Sequence, residues 1–256
     1  MAMLTRIVIL MQNIRISSLS MVANTSRDTK AQLRLLQFLS PAMPVGAYSY
    51  SQGLEWAVEQ GWITDEASFQ QWVTELIACT LTLQELPLIR RLHRCFQSHD
   101  VAGLEHWSQT ALAVRDTAES RQEELDRALA YLRVLEAIAA VQDEWPRHCF
   151  LRSPLVAMSY FSVDHGIGEE SLSEAFAHNW LENMLITGVK IIPLGQSSAQ
   201  KLLFELADQV IVALSSSQKV EDDEIGVSLP ALSMACLLYT SPSPRDQRGS
   251  RMPSSA

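Results

Sequence analysis

Motifs for catalysis and for phosphate binding are missing from the 256-residue sequence. It contains no GxxxxGKS/T or GxGxxG segment, so we expect the chain to bind no nucleotide phosphates by itself. No serine stands in a GxSxG elbow, and no cysteine has neighbours that predict an activated thiolate. The sequence therefore gives no indication of nucleophilic or nucleotide-driven catalysis.

Cysteine is scarce, and the spacing of the four cysteines indicates neither a structural metal site nor a disulfide framework. The four cysteines are widely separated and form no CxxC pair, a pattern typical of reduced thiols in a cytoplasmic protein. Neither His93 with Cys95 nor His148 with Cys149 has the spacing that places two ligands on one helix face. We therefore expect no tightly bound metal ion and no tightly bound cofactor.

Basic residues are outnumbered, with 20 against 29 acidic ones and a formal net charge of −9. Residues 1–34 hold five basic residues and one acidic residue, and residues 237–256 hold three and one, which leaves −15 for residues 35–236. A body this acidic repels phosphate backbones. The charge therefore argues against a DNA-binding regulator and against any nucleic-acid partner.

Long apolar runs are also missing. None approaches the ~20 residues that a membrane-spanning helix needs. The run Ile7–Met11 is about half as long as the apolar part of a typical signal peptide, and Arg15 interrupts the sequence soon after it. We expect no membrane partner and a cytoplasmic location.

Apolar residues recur at helical spacing along most of the chain. The clearest stripe covers 66–84, Pro87 predicts a break after it, and residues 154–163 are apolar nearly all round, as in a buried helix. The other predicted helices cover 31–39, a segment after Pro87, 101–114, 116–141, 170–189 and 198–214.

These patterns predict an all-α protein with a single helical-bundle domain of roughly eight to ten helices. We place this domain at residues 31–236. Residues 1–30 lack periodicity and predict a flexible, disordered lead. Residues 237–256 are rich in serine, proline and arginine, a composition that predicts a disordered tail.

The segment Ser40–Glu59, SPAMPVGAYSYSQGLEWAVE, places two prolines, a glycine and a run of hydroxyl side chains between helical patterns. Tyr48, Ser49, Tyr50 and Glu55 are candidate partner contacts, because tyrosine combines a rigid apolar body with a polar tip. The two tyrosines fit equally well as caps of a helix junction. The alternative function is a helical enzyme that uses Tyr48, Tyr50 and Glu55 as its pocket.

The segment Arg115–Glu124, RDTAESRQEE, is dense in charges of both signs. Its i, i+4 pairs favour a solvated helix face. The alternative is a docking surface for a charged partner. Arg115, Arg121 and Glu124 are the candidate contact residues, and Arg121 can pair with Glu124 or with neighbours of Glu123.

Lys190 is the only lysine between Lys30 and Lys201, and it precedes the turn Pro193–Gln196. A lysine at the end of a helix most often complements the helix dipole. Its isolation in an acidic body nevertheless makes Lys190, together with Gln196, a candidate contact with a partner.

Three segments, read together, resemble the UreF family of urease accessory proteins. The matching signatures are LLQFLSPAMPVGAYSYSQGLEWAVEQG at Leu35–Gly61, RDTAESRQEE at Arg115–Glu124 and WLENMLITGVKIIPLGQ at Trp180–Gln196. LPALSMA at Leu229–Ala235 is similar to the start of the family's C-terminal segment, so the resemblance covers residues 31–236.

The resemblance implies an all-α homodimer without catalytic activity. It also implies that the chain binds UreD, also called UreH, and recruits the nickel-carrying GTPase UreG, so that nickel and carbon dioxide reach the urease apoprotein. By position, Tyr48 and Tyr50 fall in the family's SPxxPVGxxSYS segment. Lys190 is the lysine of VKxxPLGQ, which is associated with the face that meets the GTPase. Nickel would thus be handled by the complex and not held tightly by this chain.

Two departures from the family pattern stand out. Ala128 occupies a position in the charged helix where relatives commonly carry glycine, a change that favours helix continuity. After LPALSMA, the family's short charged and aromatic segment for UreD is replaced by CLLYTSPSPRDQRGSRMPSSA. We therefore expect the chain as written to bind UreD poorly.

Overall fold

The computed structural model describes residues 29–44, 53–138, 141–142 and 144–226. These residues form helices and turns and contain no strand, which confirms the all-α prediction. In chain order the helices are α1 (29–38), α2 (Leu54–Glu59), α3 (Glu66–Leu76), a π-helical segment (Ile77–Glu85), α4 (Leu86–Ser98), α5 (Val101–Ala113), α6 (Ala118–Ile138), α7 (Arg147–Phe150), α8 (Pro154–Asp164), α9 (Glu169–Ile191) and α10 (Gln196–Ser217). A 3₁₀ turn at Asp222–Glu224 follows.

Helix α8 lies at the centre of the bundle, as its apolar sequence predicts. Every residue from Pro154 to Ser162 is buried, and the helix packs chiefly against α4 and α6. Pro154 fits the first turn, where the missing N–H has no intrahelical partner, and Ser153 caps the helix by accepting a hydrogen bond from the Leu155 amide. Phe161 of α8 stacks on Phe38 of α1 at 4.2 Å between ring centroids.

The predicted break at Pro87 is wrong, because the chain is helical without interruption from residue 66 to residue 98. The nine-residue π segment Ile77–Glu85 precedes Pro87, which is the second residue of α4. In an α-helix the nitrogen of Pro87 would face the Leu83 carbonyl. Because proline has no N–H, it cannot donate a hydrogen bond to that carbonyl. That carbonyl instead accepts a hydrogen bond from the Gly226 amide at 3.0 Å.

The segment after α10 is fixed against this same region. Arg91 of α4 donates to the Val220 carbonyl at 2.6 Å and pairs with Asp222 at 2.9 Å. With the bond from Gly226, three contacts hold residues 220–226 beside the π segment and α4. The predicted lead (1–30) and tail (237–256) lie almost wholly outside the described residues and stay predictions.

Charged and polar caps define several of the other helix ends. Asp65 and Ser68 form a reciprocal capping box at the start of α3, and Asp100 accepts from the Gly103 amide at the start of α5. Helix α4 ends at Ser98, and its C-cap His99 has a left-handed φ of 56°. In the part of the chain that the structure describes, no helix is both long enough and apolar enough to cross a membrane.

Gly188 of α9 faces the fully buried ring of Phe69 on α3. A Cβ at position 188 would lie 2.7 Å from Cε1 and 3.0 Å from Cε2 of Phe69. Glycine therefore sets the spacing of these two helices, and it does so in spite of its low helix propensity.

Replacing Gly188 with alanine is expected to lower the free energy of unfolding by about 1 to 3 kcal/mol, because overpacking against Phe69 outweighs the gain in helix propensity. Urea denaturation measures the change. Gly195→Ala is the control for the added methyl group: a Cβ there meets nothing within 4 Å, so we expect only the smaller cost of losing the glycine N-cap of α10. A Gly188→Ala protein as stable as the wild type would show that α3 and α9 separate at no cost.

Candidate functional site

The predicted contact residues near the N-terminus are only partly described. Tyr48, Ser49 and Tyr50 lie outside the described residues and remain predictions. Glu55 lies in the first turn of α2, where a carboxylate complements the helix dipole. Its side chain is half-buried, and its Oε2 finds no hydrogen-bond partner among the described residues.

The charged segment 115–124 forms a buried ion cluster with the π segment, here called the Arg115 cluster (Glu85, Arg115, Glu124). Arg115 donates from Nη1 to Glu85 Oε1, and its Nη2 lies 3.2 Å from Glu85 Oε2 and 3.1 Å from Glu124 Oε1. The side chains of Glu85 and Glu124 are only 8% and 4% exposed. The predicted solvated face is therefore wrong for Glu124 and for most of Arg115.

The pKa values of Glu85 and Arg115 are shifted towards their charged forms in spite of burial. Burial alone would raise the pKa of Glu85, but the attraction and hydrogen bonds of Arg115 outweigh it and hold this pKa below its usual value. Burial would also lower the pKa of Arg115, and the two carboxylates raise it instead. Ser153, the cap of α8, adds a hydrogen bond to Glu124 Oε1 at 2.5 Å.

Arg121 does not pair with Glu124, which is one of the two partners that the sequence allows. Its Nη1 donates to the Arg115 backbone carbonyl at 2.6 Å, just after the end of α5. This bond satisfies a carbonyl of the α5–α6 link, so Arg121 stabilises the backbone that carries the Arg115 cluster.

Glu123 lies next to this cluster, and the pKa of its carboxyl is raised. Its side chain is 19% exposed, and its nearest cation is Arg127, whose Nη1 lies 4.0 Å away. Burial raises the pKa of Glu123 to about 7, and the negative charge of Glu124 adds to the effect. In the unfolded chain this carboxyl loses its proton near its ordinary pKa of 4.5.

Glu123→Gln is expected to raise the free energy of unfolding by about 1 to 3 kcal/mol near pH 8 and to change it little near pH 5. Because the folded pKa is raised, the native state binds the proton better. That advantage is complete below the unfolded pKa and is lost as pH rises through about 7. Urea denaturation at the two pH values measures it. Asp126→Asn, an exposed charge on the same helix, is the control, and identical pH profiles for the wild type and Glu123→Gln would contradict the prediction.

Lys190 and Gln196 lie on one exposed turn, here called the α9–α10 elbow (residues 190–196). Both side chains are exposed, whereas Ile192 and Leu194 between them are buried. The Ile192 amide donates to the Gly188 carbonyl at 2.9 Å, and the Leu194 amide donates to the Ile192 carbonyl at 2.6 Å. Two apolar anchors and these hydrogen bonds fix the backbone that presents Lys190 and Gln196.

A third group of side chains was missed by the sequence reasoning, here called the Glu105 cluster (Glu105, His148, Cys149). Glu105 Oε2 lies 2.5 Å from His148 Nε2 and 3.1 Å from Cys149 Sγ. Hydrogen bonds from Cys149, His148 and Arg152 lower the pKa of Glu105 to about 2, while burial raises the pKa of the Cys149 thiol. The adjacent His148 and Cys149 were the only signal in the sequence, because Glu105 joins them from a different helix.

Comparison with known proteins gives concordant matches. A sequence model of the family UreF matches residues 63–207. Urease accessory protein UreF of Enterobacter sp. (strain 638) is 35% identical over 213 residues, which cover 80% of this chain and 92% of the relative. The Alcanivorax borkumensis protein of the same name is 36% identical over 219 residues, covering 83% and 95%. That of Pseudomonas putida (strain GB-1) is 39% identical over 205 residues, covering 80% and 92%.

The family match spans more than half of the chain and includes the π segment, the Arg115 cluster and the α9–α10 elbow. The relatives extend the similarity to nearly their whole length. On these grounds, and with the all-α fold described above, the chain belongs to the UreF family of urease accessory proteins.

Proposed function

We propose that this chain is a non-catalytic adaptor of urease maturation, which recruits the GTPase UreG to the urease apoprotein and binds UreD (UreH), but only weakly because its tail departs from the family's segment. Nickel is the cargo of this assembly. The proposal rests on family membership and on one observation of the structure, the exposed and rigid α9–α10 elbow that carries Lys190 and Gln196.

The elbow has the properties of a prepared protein contact. Its backbone is fixed by the buried Ile192 and Leu194, so little conformational entropy is lost when a partner binds. Lys190 offers a positive charge on an acidic body, which gives a partner with a carboxylate both attraction and register. We assign this contact to UreG, in agreement with the family position of the lysine.

Helix α10 supports a role in protein contacts as well. Phe204, Ile211 and Val212 are 84%, 62% and 64% exposed, and their spacing places them on one side of the helix. Exposed apolar side chains grouped on one face are typical of interaction surfaces. Our proposal includes a homodimer, and light scattering of the purified chain tests it. The cytoplasmic location stays a prediction.

Lys190→Ala is expected to weaken the capture of UreG roughly tenfold, because the variant removes a charge at a preorganised contact. The assay is a quantitative pull-down with purified UreG, in the presence and absence of UreD. Lys219→Ala, which removes an equal charge from an exposed turn after α10, is the matched control. If both variants bind UreG as the wild type does, the elbow is not the contact.

The purified chain is expected to hydrolyse neither urea nor GTP, because an adaptor acts through its partners. The alternative is the helical enzyme with a pocket of Tyr48, Tyr50 and Glu55. It predicts turnover that Glu55→Gln abolishes while the helical circular dichroism is retained. Turnover by the isolated wild-type chain that is lost in Glu55→Gln would therefore replace the adaptor with the enzyme.

A further inference from the structure

The Glu105 cluster brings together one nitrogen, one sulfur and one oxygen donor at the contact of α5 with α7. Glu105 lies on α5, and His148 and Cys149 lie on α7. One ligand atom from each side chain lies within 4.8 Å of the other two. None of these side chains belongs to the α9–α10 elbow or to the Arg115 cluster.

We propose that Glu105, His148 and Cys149 bind a divalent first-row transition-metal ion of the class of Ni²⁺ and Zn²⁺. Imidazole and thiolate donors suit these ions, whereas Mg²⁺ and Ca²⁺ prefer sites built from oxygen alone. Metal–ligand bonds of about 2.0 to 2.3 Å place neighbouring donors some 3 to 4 Å apart, so the observed spacing needs only small shifts of the side chains.

The hydrogen bonds of the cluster show how an ion would enter. In the structure His148 Nε2 and the Cys149 thiol both face the same carboxylate oxygen, Oε2 of Glu105. A metal ion would replace the hydrogen between His148 Nε2 and Glu105 Oε2 and the hydrogen between Cys149 Sγ and Glu105 Oε2. The thiol proton leaves to solvent, and His148 binds through Nε2 with its proton on Nδ1. No electron is transferred, and the metal keeps its charge.

Arg152 holds Glu105 in the orientation that such a site needs. Its Nη1 lies 2.8 Å from the other carboxylate oxygen, Oε1, and donates to Ser108 Oγ at 3.0 Å. The other oxygen, Oε2, therefore points towards His148 and Cys149. Hydrogen-bond partners outside the ligand shell commonly orient metal ligands in this way. The guanidinium charge also opposes a cation and keeps the affinity modest.

The site opens to solvent on one side. Cys149 is fully buried, but the side chains of His148 and Glu105 are 59% and 35% exposed. Three protein ligands leave a fourth position for water or for a donor from another protein. The ion is therefore exchangeable, in keeping with the expectation that no metal ion is held tightly.

Titration of the chelator-treated full chain with Co²⁺ tests the proposal, because a cobalt–thiolate bond gives a charge-transfer absorption. We expect this absorption to appear and to be removed by Zn²⁺ or Ni²⁺, while Mg²⁺ leaves it unchanged. Cys149→Ser should abolish the absorption. His148→Gln should weaken the affinity at least about tenfold.

Matched variants elsewhere on the chain keep the test specific. Cys79→Ser and His106→Gln remove a thiol on the π segment and an exposed imidazole on α5, and both should bind Co²⁺ as the wild type does. Circular dichroism checks that each variant is folded. The proposal is overturned if the wild type shows no thiolate absorption or if Cys149→Ser retains it. UreG and UreD are absent from this experiment, so its result is separate from that for the adaptor function.

Discussion

Arg115 lies between two buried carboxylates, and four elements of the bundle meet through it. Glu85 ends the π segment, Arg115 belongs to the α5–α6 link, Glu124 lies on α6, and Ser153 caps α8. Removing one partner from such a group leaves an unpaired buried charge, which costs about 3 to 5 kcal/mol in typical proteins. The position of the central helix α8 therefore depends on charges that come from three other parts of the sequence.

The π segment has a second consequence, at the C-terminal end of the described chain. Pro87 has no N–H to offer the Leu83 carbonyl, and the Gly226 amide donates a hydrogen bond to this carbonyl. The φ of 110° at Gly226 lies in a region that other residues rarely adopt, so glycine is what lets the chain reach this carbonyl. The segment that leads to the atypical tail is thus tied to the π segment and α4.

The sequence predicts most helices well because each has an apolar stripe of its own. Residues 154–163 are the clearest case, since an apolar surface all round indicates burial without reference to any partner. The break at Pro87 was wrong because the usual rule for proline assumes an α-helix before it. A nine-residue π segment changes the donor pattern, and the proline is accommodated at the start of α4.

Side-chain clusters were less predictable, because their members are far apart in sequence. Glu124 was expected in solvent, since a glutamate on a charged helix is usually exposed. Its burial depends on Arg115 and on Ser153, 29 residues away. Glu105 likewise contacts His148 from 43 residues away in the sequence. The adjacent histidine and cysteine therefore indicated only two of the three members of the Glu105 cluster.

The family signatures separate into two physical kinds once the fold is known. In the charged signature, Arg115 pairs with Glu124, and Arg121 donates to a backbone carbonyl. Glu124 also accepts a hydrogen bond from Ser153, the cap of α8. A change in this signature therefore acts first on stability. Lys190 and Gln196 of the other signature are exposed on an elbow whose anchors are different residues, so a change there leaves the core intact. Loss of partner binding carries information about a contact only in the second kind. In the first kind, the same loss follows from unfolding, and the free energy of unfolding must be measured before a binding defect is interpreted.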